Sequence, residues 1–252
     1  MLKIRVIPTL LFRDYGLIKG VAFDSWRHTG SLMQAVSVYN MRDVDEIVFL
    51  DISATRENRR PDFSLVDEFA DECRMPLTVG GGVQSVADVA QLLDVGADKV
   101  SLNTALVENE AVIGQIAKRF GAQCVVASID FKRHQDGRCE VFTRSGTQAT
   151  GIDPVSLAKR VEQLGAGEIL LTSIDRDGTM KGYDVDCVRS VSDAVGIPVI
   201  ASGGAGSYSD MESVISDGKA SAVASASIYQ FTELTPNSAK KHLKQCGFPV
   251  RL

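Results

Sequence analysis

Two glycine-rich stretches carry the first chemistry in this chain. Val199-Ile-Ala-Ser-Gly-Gly-Ala-Gly206 ends an apolar run in small residues, and Leu77-Thr-Val-Gly-Gly-Gly-Val83 echoes it. Such glycines let backbone amides point at an anion without the help of a cation. Gly81-Gly82 with Asn103-Thr104 is one expected phosphate cradle. Gly203-Gly204 with Ala226-Ser227, aided by Asp177-Gly178, is the other. Paired glycines also make plain tight turns. Here Gly81 and Gly203 stand 122 residues apart (203 − 81), as do Gly82 and Gly204, and matched copies favour a ligand. Two cradles imply a long substrate with a phosphate at each end.

Asp130 ends an otherwise apolar run, Val125-Val-Ala-Ser-Ile129. A carboxylate at the end of such a strand can serve as general acid or base. Asp51 and Asp177 also end apolar runs or follow them closely; substrate contact and loop structure are equally good accounts of both. Lys19, in a long segment after the first strand, can neutralise a phosphate or hold a lid closed. Arg5, Glu46, Lys99 and Glu168 sit at the starts of apolar runs. Two cations and two anions there predict a salt-bridged plug or a polar gate.

These residues need elements to position them. Strand-like runs are Lys3–Leu10, Glu46–Asp51, Leu77–Val79, Lys99–Leu102, Val125–Asp130, Glu168–Ser173, Val199–Ala201 and Ala222–Ser225. Amphipathic runs alternate with them: Ser31–Arg42, Phe63–Cys73, Val86–Val95, Glu108–Arg119, Pro154–Leu164, Val185–Val195, Ser209–Ser216 and Asn237–Gln245. Asp153, Ser85 and Ser209 are the expected N-caps, with Pro154 in the first helical position. Strand–helix alternation of this kind predicts a (β/α)8 TIM barrel, and the repeat predicts two similar half-barrels, about 1–120 and 121–240, in one domain spanning 1–252. Chemistry then belongs at the strand C-terminal ends, and the Arg5/Glu46/Lys99/Glu168 set on the opposite face. Phe12–Gly30 is expected as a lid loop. Phe131–Thr150 is a second long segment, with a hairpin turning at Asp136-Gly137.

The chain has 252 residues, 44% of them hydrophobic, enough for a sizeable core. A formal charge of −5 argues against nucleic acid as a partner. The five cysteines lack CxxC spacing, so neither a disulfide framework nor a metal site is expected, and no pattern calls for a cofactor. The expectation is a cytoplasmic protein without leader or membrane span.

The quoted residues resemble the HisF family, the cyclase subunits of imidazole glycerol phosphate synthase, over essentially the whole chain. The most specific pieces are Phe49-Leu-Asp-Ile-Ser53, Thr78-Val-Gly-Gly-Gly-Val83, Gly96-Ala-Asp-Lys-Val-Ser101, Ser173-Ile-Asp-Arg-Asp-Gly-Thr179 and Ala201-Ser-Gly-Gly-Ala-Gly206. The related HisA isomerases share the barrel and the repeat. The resemblance implies a HisH-type glutaminase docked on the bottom face as a heterodimer, with Asp98 at that interface. Ammonia would pass the gate of Arg5, Glu46, Lys99 and Glu168 to a small phosphorylated substrate at the top, where Lys19 contacts substrate and Asp130 does acid–base work.

The family's other aspartate, ending the first strand, is absent: the run here is Thr9-Leu10-Leu11. In the internal repeat Leu11 aligns with Asp130 (130 − 11 = 119) and Phe12 with Phe131. Leucine exchanges no proton, so cyclisation in histidine biosynthesis is the family default while Leu11 speaks for another acceptor. The segment from Gly16 through Trp26 and His28 resembles a HisF-like subgroup linked to surface polysaccharide (lipopolysaccharide) pathways, which implies amidation of a sugar precursor. The non-catalytic alternative is an ammonia conduit that activates its glutaminase.

Overall fold

Along the chain, strands rich in Val, Ile and Leu alternate with helices that bury one face. The computed structural model describes residues 3–42 and 44–252. Eight parallel strands form the barrel: β1 (Arg5–Arg13), β4 (Ile47–Asp51), β5 (Leu77–Gly80), β6 (Lys99–Leu102), β7 (Val125–Arg133), β10 (Glu168–Ser173), β11 (Val199–Ser202) and β12 (Ala222–Ser225). Each pairs with the next, β12 pairs with β1, and β7 pairs with β10, so the sheet closes on itself. This is a TIM barrel. Four further strands are antiparallel additions at the top: β2 (Gly16–Val21) and β3 (Asp24–Gly30) after β1, and β8 (Cys139–Thr143) and β9 (Gln148–Ala149) after β7.

Side chains alternate in and out along each strand. The lowest inward layer holds Arg5, Glu46, Lys99 and Glu168. Above it Ile7, Val48, Val126, Leu170, Ile200, Ala222 and Ala224 form a buried apolar layer. Outward residues such as Val6, Leu10, Phe49, Val79 and Leu171 pack beneath the helices in a separate, larger core. Fully buried parallel strands need apolar residues on both faces, which is why these runs read as near-continuous hydrophobic stretches.

The helices are α1 (Leu32–Met41), α2 (Phe63–Glu72), α3 (Val86–Asp94), α4 (Ala105–Glu108), α5 (Ala111–Phe120), α6 (Pro154–Gln163), α7 (Val185–Ser192), α8 (Tyr208–Ser216), α9 (Ser227–Phe231) and α10 (Pro236–Gln245). Asp153 caps α6, with its side chain accepting from the Ser156 amide and Pro154 at the first turn. Ser85 caps α3 in a reciprocal box with Asp88, and Ser207 caps α8 in the same box with Asp210. The expected cap at Ser209 is therefore corrected to Ser207, which lies 122 residues from Ser85 (207 − 85), as Asp210 does from Asp88. The repeat thus extends to helix entry.

Three further expectations change. The first strand runs to Arg13 rather than stopping at Leu10, because Leu11, Phe12 and Arg13 continue in antiparallel pairing with Ile18, Leu17 and Gly16. The Phe12–Gly30 loop is consequently a hairpin, with Asp14, Ala22, Phe23 and Ser25 at positive φ making its turns. The helix expected over Glu108–Arg119 is split, since Asn109 leaves helical geometry (φ −150, ψ 61) between α4 and α5. The hairpin turn at Asp136-Gly137 forms as read, with the Gly137 amide donating to the His134 carbonyl at 2.9 Å. No helix among the described residues is long and apolar enough to cross a membrane.

Candidate active site

The strand C-terminal ends enclose one deep pocket. Its wall includes Lys19, Asp51, Gly82, Asn103, Thr104, Asp130, Asp177, Gly178, Gly203, Gly204, Ala226 and Ser227. Every top-face residue singled out in the sequence therefore reaches the same cavity. Leu11 lines it as well, from the end of β1.

Asp130 is inward on β7 and 8% exposed. Asn103 Nδ2 donates to its Oδ2 at 3.3 Å and to the Ser128 carbonyl at 3.0 Å. Burial, with repulsion from Asp177 added, pushes the Asp130 carboxyl up to about 7; a hydrogen bond from Thr172 only partly offsets this. A carboxyl that titrates near neutrality can both take and return a proton at working pH, the property a general acid–base group needs.

The two glycine stretches occupy equivalent places. Gly81 (φ +109) and Gly203 (φ +85) need the left-handed freedom of glycine, and each leaves no room for a Cβ against the carbonyl of Asp51 or Ser173, respectively. Their polar surroundings differ. In the first cradle the chain already uses much of the bonding capacity. The Gly82 amide donates to Thr55 Oγ1 at 3.3 Å, and Thr104 Oγ1 accepts from the Arg144 amide at 3.1 Å. In the second, the Ser227 hydroxyl is buried with no protein partner, and so is the hydroxyl of Thr9 nearby in the wall. Unpaired buried hydroxyls are costly unless something bonds them, and an anionic ligand can.

Asp51 is tied within its own loop. Its Oδ1 accepts from the Ser53 amide at 3.0 Å, Ser53 Oγ at 2.8 Å and the Ala54 amide at 3.1 Å, while Arg59 reaches Oδ2 at 3.3 Å. Of the two accounts open in the sequence, loop structure uses all these bonds. Lys19 lies in the pocket wall, but it is 2% exposed and its Nζ sits 2.5 Å from Asp177 Oδ2. The hairpin that carries it is seated on the Asp177-Gly178 turn: the Ala22 amide donates to the Asp177 carbonyl at 2.8 Å, and a Cβ on Gly178 would strike the Gly20 carbonyl. Phe23 and Trp26 of that hairpin join the wall. These two aromatics were missed as site residues. So were Thr9, Ser101, Ser128 and Thr172, which counting by twos upward from Arg5, Lys99, Val126 and Glu168 would have placed inward.

At the barrel floor the four charged residues form a closed ring. Arg5 meets Glu46 at 2.7 Å and Glu168 at 2.9 Å, and Lys99 meets both at 3.0 Å. Thr78 Oγ1 donates to the remaining Glu46 oxygen at 2.7 Å. Burial works against the Arg5 charge, but Glu168 and Glu46 outweigh it and raise Arg5 above its usual value. Asp98 is exposed just before β6, where its Oδ2 accepts from the Leu77 amide at 2.8 Å.

Histidine biosynthesis proteins are the family whose pattern matches this chain, over residues 5–235. The chain belongs to that family. Its members are TIM-barrel enzymes of histidine biosynthesis, HisA and HisF among them, and the match spans all eight barrel strands described above.

Proposed function

We propose that this protein is the synthase subunit of a glutamine amidotransferase, adding ammonia to a small phosphorylated acceptor in the pocket at the top of the barrel. The observation that carries this reading is the vertical order of the interior: a charged ring at the floor, an apolar layer above it, and a carboxyl titrating near 7 at the top. An uncharged small molecule such as ammonia meets no charged side chain in the apolar layer between floor and pocket, and it emerges beside Asp130, a group able to take the proton that amine addition releases. A HisH-type glutaminase on the face bearing Asp98 and the ring is the source of that ammonia. The phosphates rest on Gly82/Asn103/Thr104 and on Gly203/Gly204/Ala226/Ser227, with Asp177-Gly178 beside the second.

Asp130 is the catalytic residue in this account. In family cyclisation, which yields imidazole glycerol phosphate, two aspartates share the work, whereas here Leu11 fills the first place. Leu11 therefore favours a simpler addition, amidation of a sugar precursor for surface polysaccharide, over ring closure. The conduit reading, without chemistry at the top, leaves the pKa of Asp130 and the unpaired Ser227 hydroxyl unexplained. Reconstitution with the glutaminase tests the ammonia route. In Lys99→Met, glutamine-dependent turnover should change while turnover with free ammonium salts does not. Equal effects on both would overturn delivery through the floor.

A further inference from the structure

Outside the pocket, among the described residues, a single set of three potential metal ligands converges: Glu212 on α8 with His242 and Cys246 at the end of α10. His242 Nε2 lies 3.2 Å from Glu212 Oε2 and 3.6 Å from Cys246 Sγ, and all three atoms lie within 4.8 Å of one another. Zinc bonds of about 2.0–2.3 Å in a tetrahedron set neighbouring ligand atoms about 3.3–3.7 Å apart. The His242–Cys246 edge falls within that spacing and the His242–Glu212 edge lies just below it, before any cation is added.

The scaffold is firm. The Cys246 amide donates to the His242 carbonyl at 3.0 Å, which completes the last turn of α10 and puts the two ligands on one face. Tyr208, on the first turn of α8, stacks its ring 5.8 Å from that of His242, and its hydroxyl accepts from the Thr235 amide at 2.9 Å at the start of α10. Glu212 follows Tyr208 by one helical turn. Cys246 is exposed, so a cation can enter from solvent. Hydrogen bonding alone also links the three groups, with Glu212 and Cys246 both meeting His242 Nε2; what points to a cation is that imidazole, carboxylate and thiol converge in one place.

We infer that Glu212, His242 and Cys246 form a site for a borderline-soft divalent cation of the zinc class, with water as the fourth ligand. Imidazole, thiolate and carboxylate together suit zinc better than magnesium or calcium, which prefer oxygen alone. The cation would clamp α10 to α8. From Cys246 the chain runs to Pro249, whose carbonyl accepts from the Ile4 amide at 2.7 Å, so the clamp would steady the C-terminal segment against the barrel floor next to Arg5. The cysteines lack CxxC spacing; the pattern that marks this site is His-x3-Cys on one helix face with a third group supplied by a neighbouring helix.

The test uses the full chain, reduced and freed of metal by chelation, and titrated with cobalt(II) as a spectroscopic stand-in and then with zinc chloride. The expected result is one cobalt per chain, with a thiolate-to-cobalt charge-transfer band and tetrahedral d–d bands, both displaced by zinc. Cys246→Ser should lose the charge-transfer band, and His242→Ala should weaken binding at least ~10-fold. Zinc should raise the melting temperature of the wild type and leave that of His242→Ala unmoved. Absence of the thiolate band, its persistence in Cys246→Ser, or equal affinity in all three proteins would overturn the site. Cys73→Ser, at a distant cysteine, should retain the band, and its loss there would equally count against the assignment.

Discussion

Beyond the barrel rim, β1 and β7 both run on into antiparallel hairpins, β1 pairing Leu11 with Ile18 and β7 pairing Asp130 with Phe142. The next residue in each is a phenylalanine whose carbonyl accepts an equivalent amide, Ile52 to Phe12 at 3.1 Å and Ile174 to Phe131 at 2.9 Å. Backbone and packing repeat between the halves; the reactive group does not. Leu11 offers the pocket a methyl surface where Asp130 offers a carboxyl near neutrality. The same contrast recurs in the cradles, where the chain bonds Thr104 but leaves Ser227 unpaired. The difference teaches that backbone geometry is repeated at matched positions while the titratable carboxyl is kept only at the end of β7.

Leu11→Asp should give the largest effect. If the missing carboxyl alone separates this pocket from a cyclase site, turnover of the bisphosphorylated histidine-pathway precursor with ammonium salts should rise by ~10²–10⁴-fold. No gain would mean that other pocket residues have diverged too. The next effect is on stability. Asp130 has its folded pKa raised, so the native state binds its proton more tightly than the unfolded chain does. Its contribution is then favourable at low pH and is lost as pH rises from the ordinary aspartate range through about 7. Asp130→Asn should therefore be more stable than wild type above pH 7, by up to about 4 kcal/mol, and about equal near pH 3. Urea unfolding at the two pH values measures this.

Lys19→Met leaves Asp177 buried without its cation. Loss of about 3 kcal/mol is expected by thermal or urea unfolding, together with a further rise in the Asp130 pKa, since the Asp177 charge that repels it is no longer offset. A hairpin that only covers the pocket would show neither. The smallest effects test the architectural half of the comparison. Ser85→Ala and Ser207→Ala remove matched caps and should each cost about 1 kcal/mol. Markedly unequal losses would show that the halves differ structurally as well.

Much of this was legible in the sequence because alternating apolar runs and the repeat both report burial, and burial dictates a parallel barrel. The strand starts fixed the floor ring, and the strand ends fixed Asp130. What escaped depends on pairing that the local pattern of side chains does not report. The β2–β3 hairpin is not an apolar alternation: β3 is Asp-Ser-Trp-Arg-His-Thr-Gly, mostly exposed, and its pairing rests on β2. For Lys19 the sequence offers a phosphate contact or a closed lid, and only Asp177, 158 positions later, identifies the group it meets. The cap at Ser207 was within reach, since the 122-residue offset from Ser85 points to it directly.

The pH dependence of ammonium-driven turnover, measured for wild type and Asp130→Asn on a phosphorylated acceptor that the wild type converts, tests the central claim most directly. Free ammonium would bypass the proposed glutaminase and floor-ring route alike, so only the top of the barrel is assayed. The account predicts an inflection near pH 7 in the wild type, beyond that of ammonia itself, and at least a ~10²-fold loss in Asp130→Asn with that inflection gone. Turnover in Asp130→Asn equal to wild type, with an unchanged profile, would contradict it.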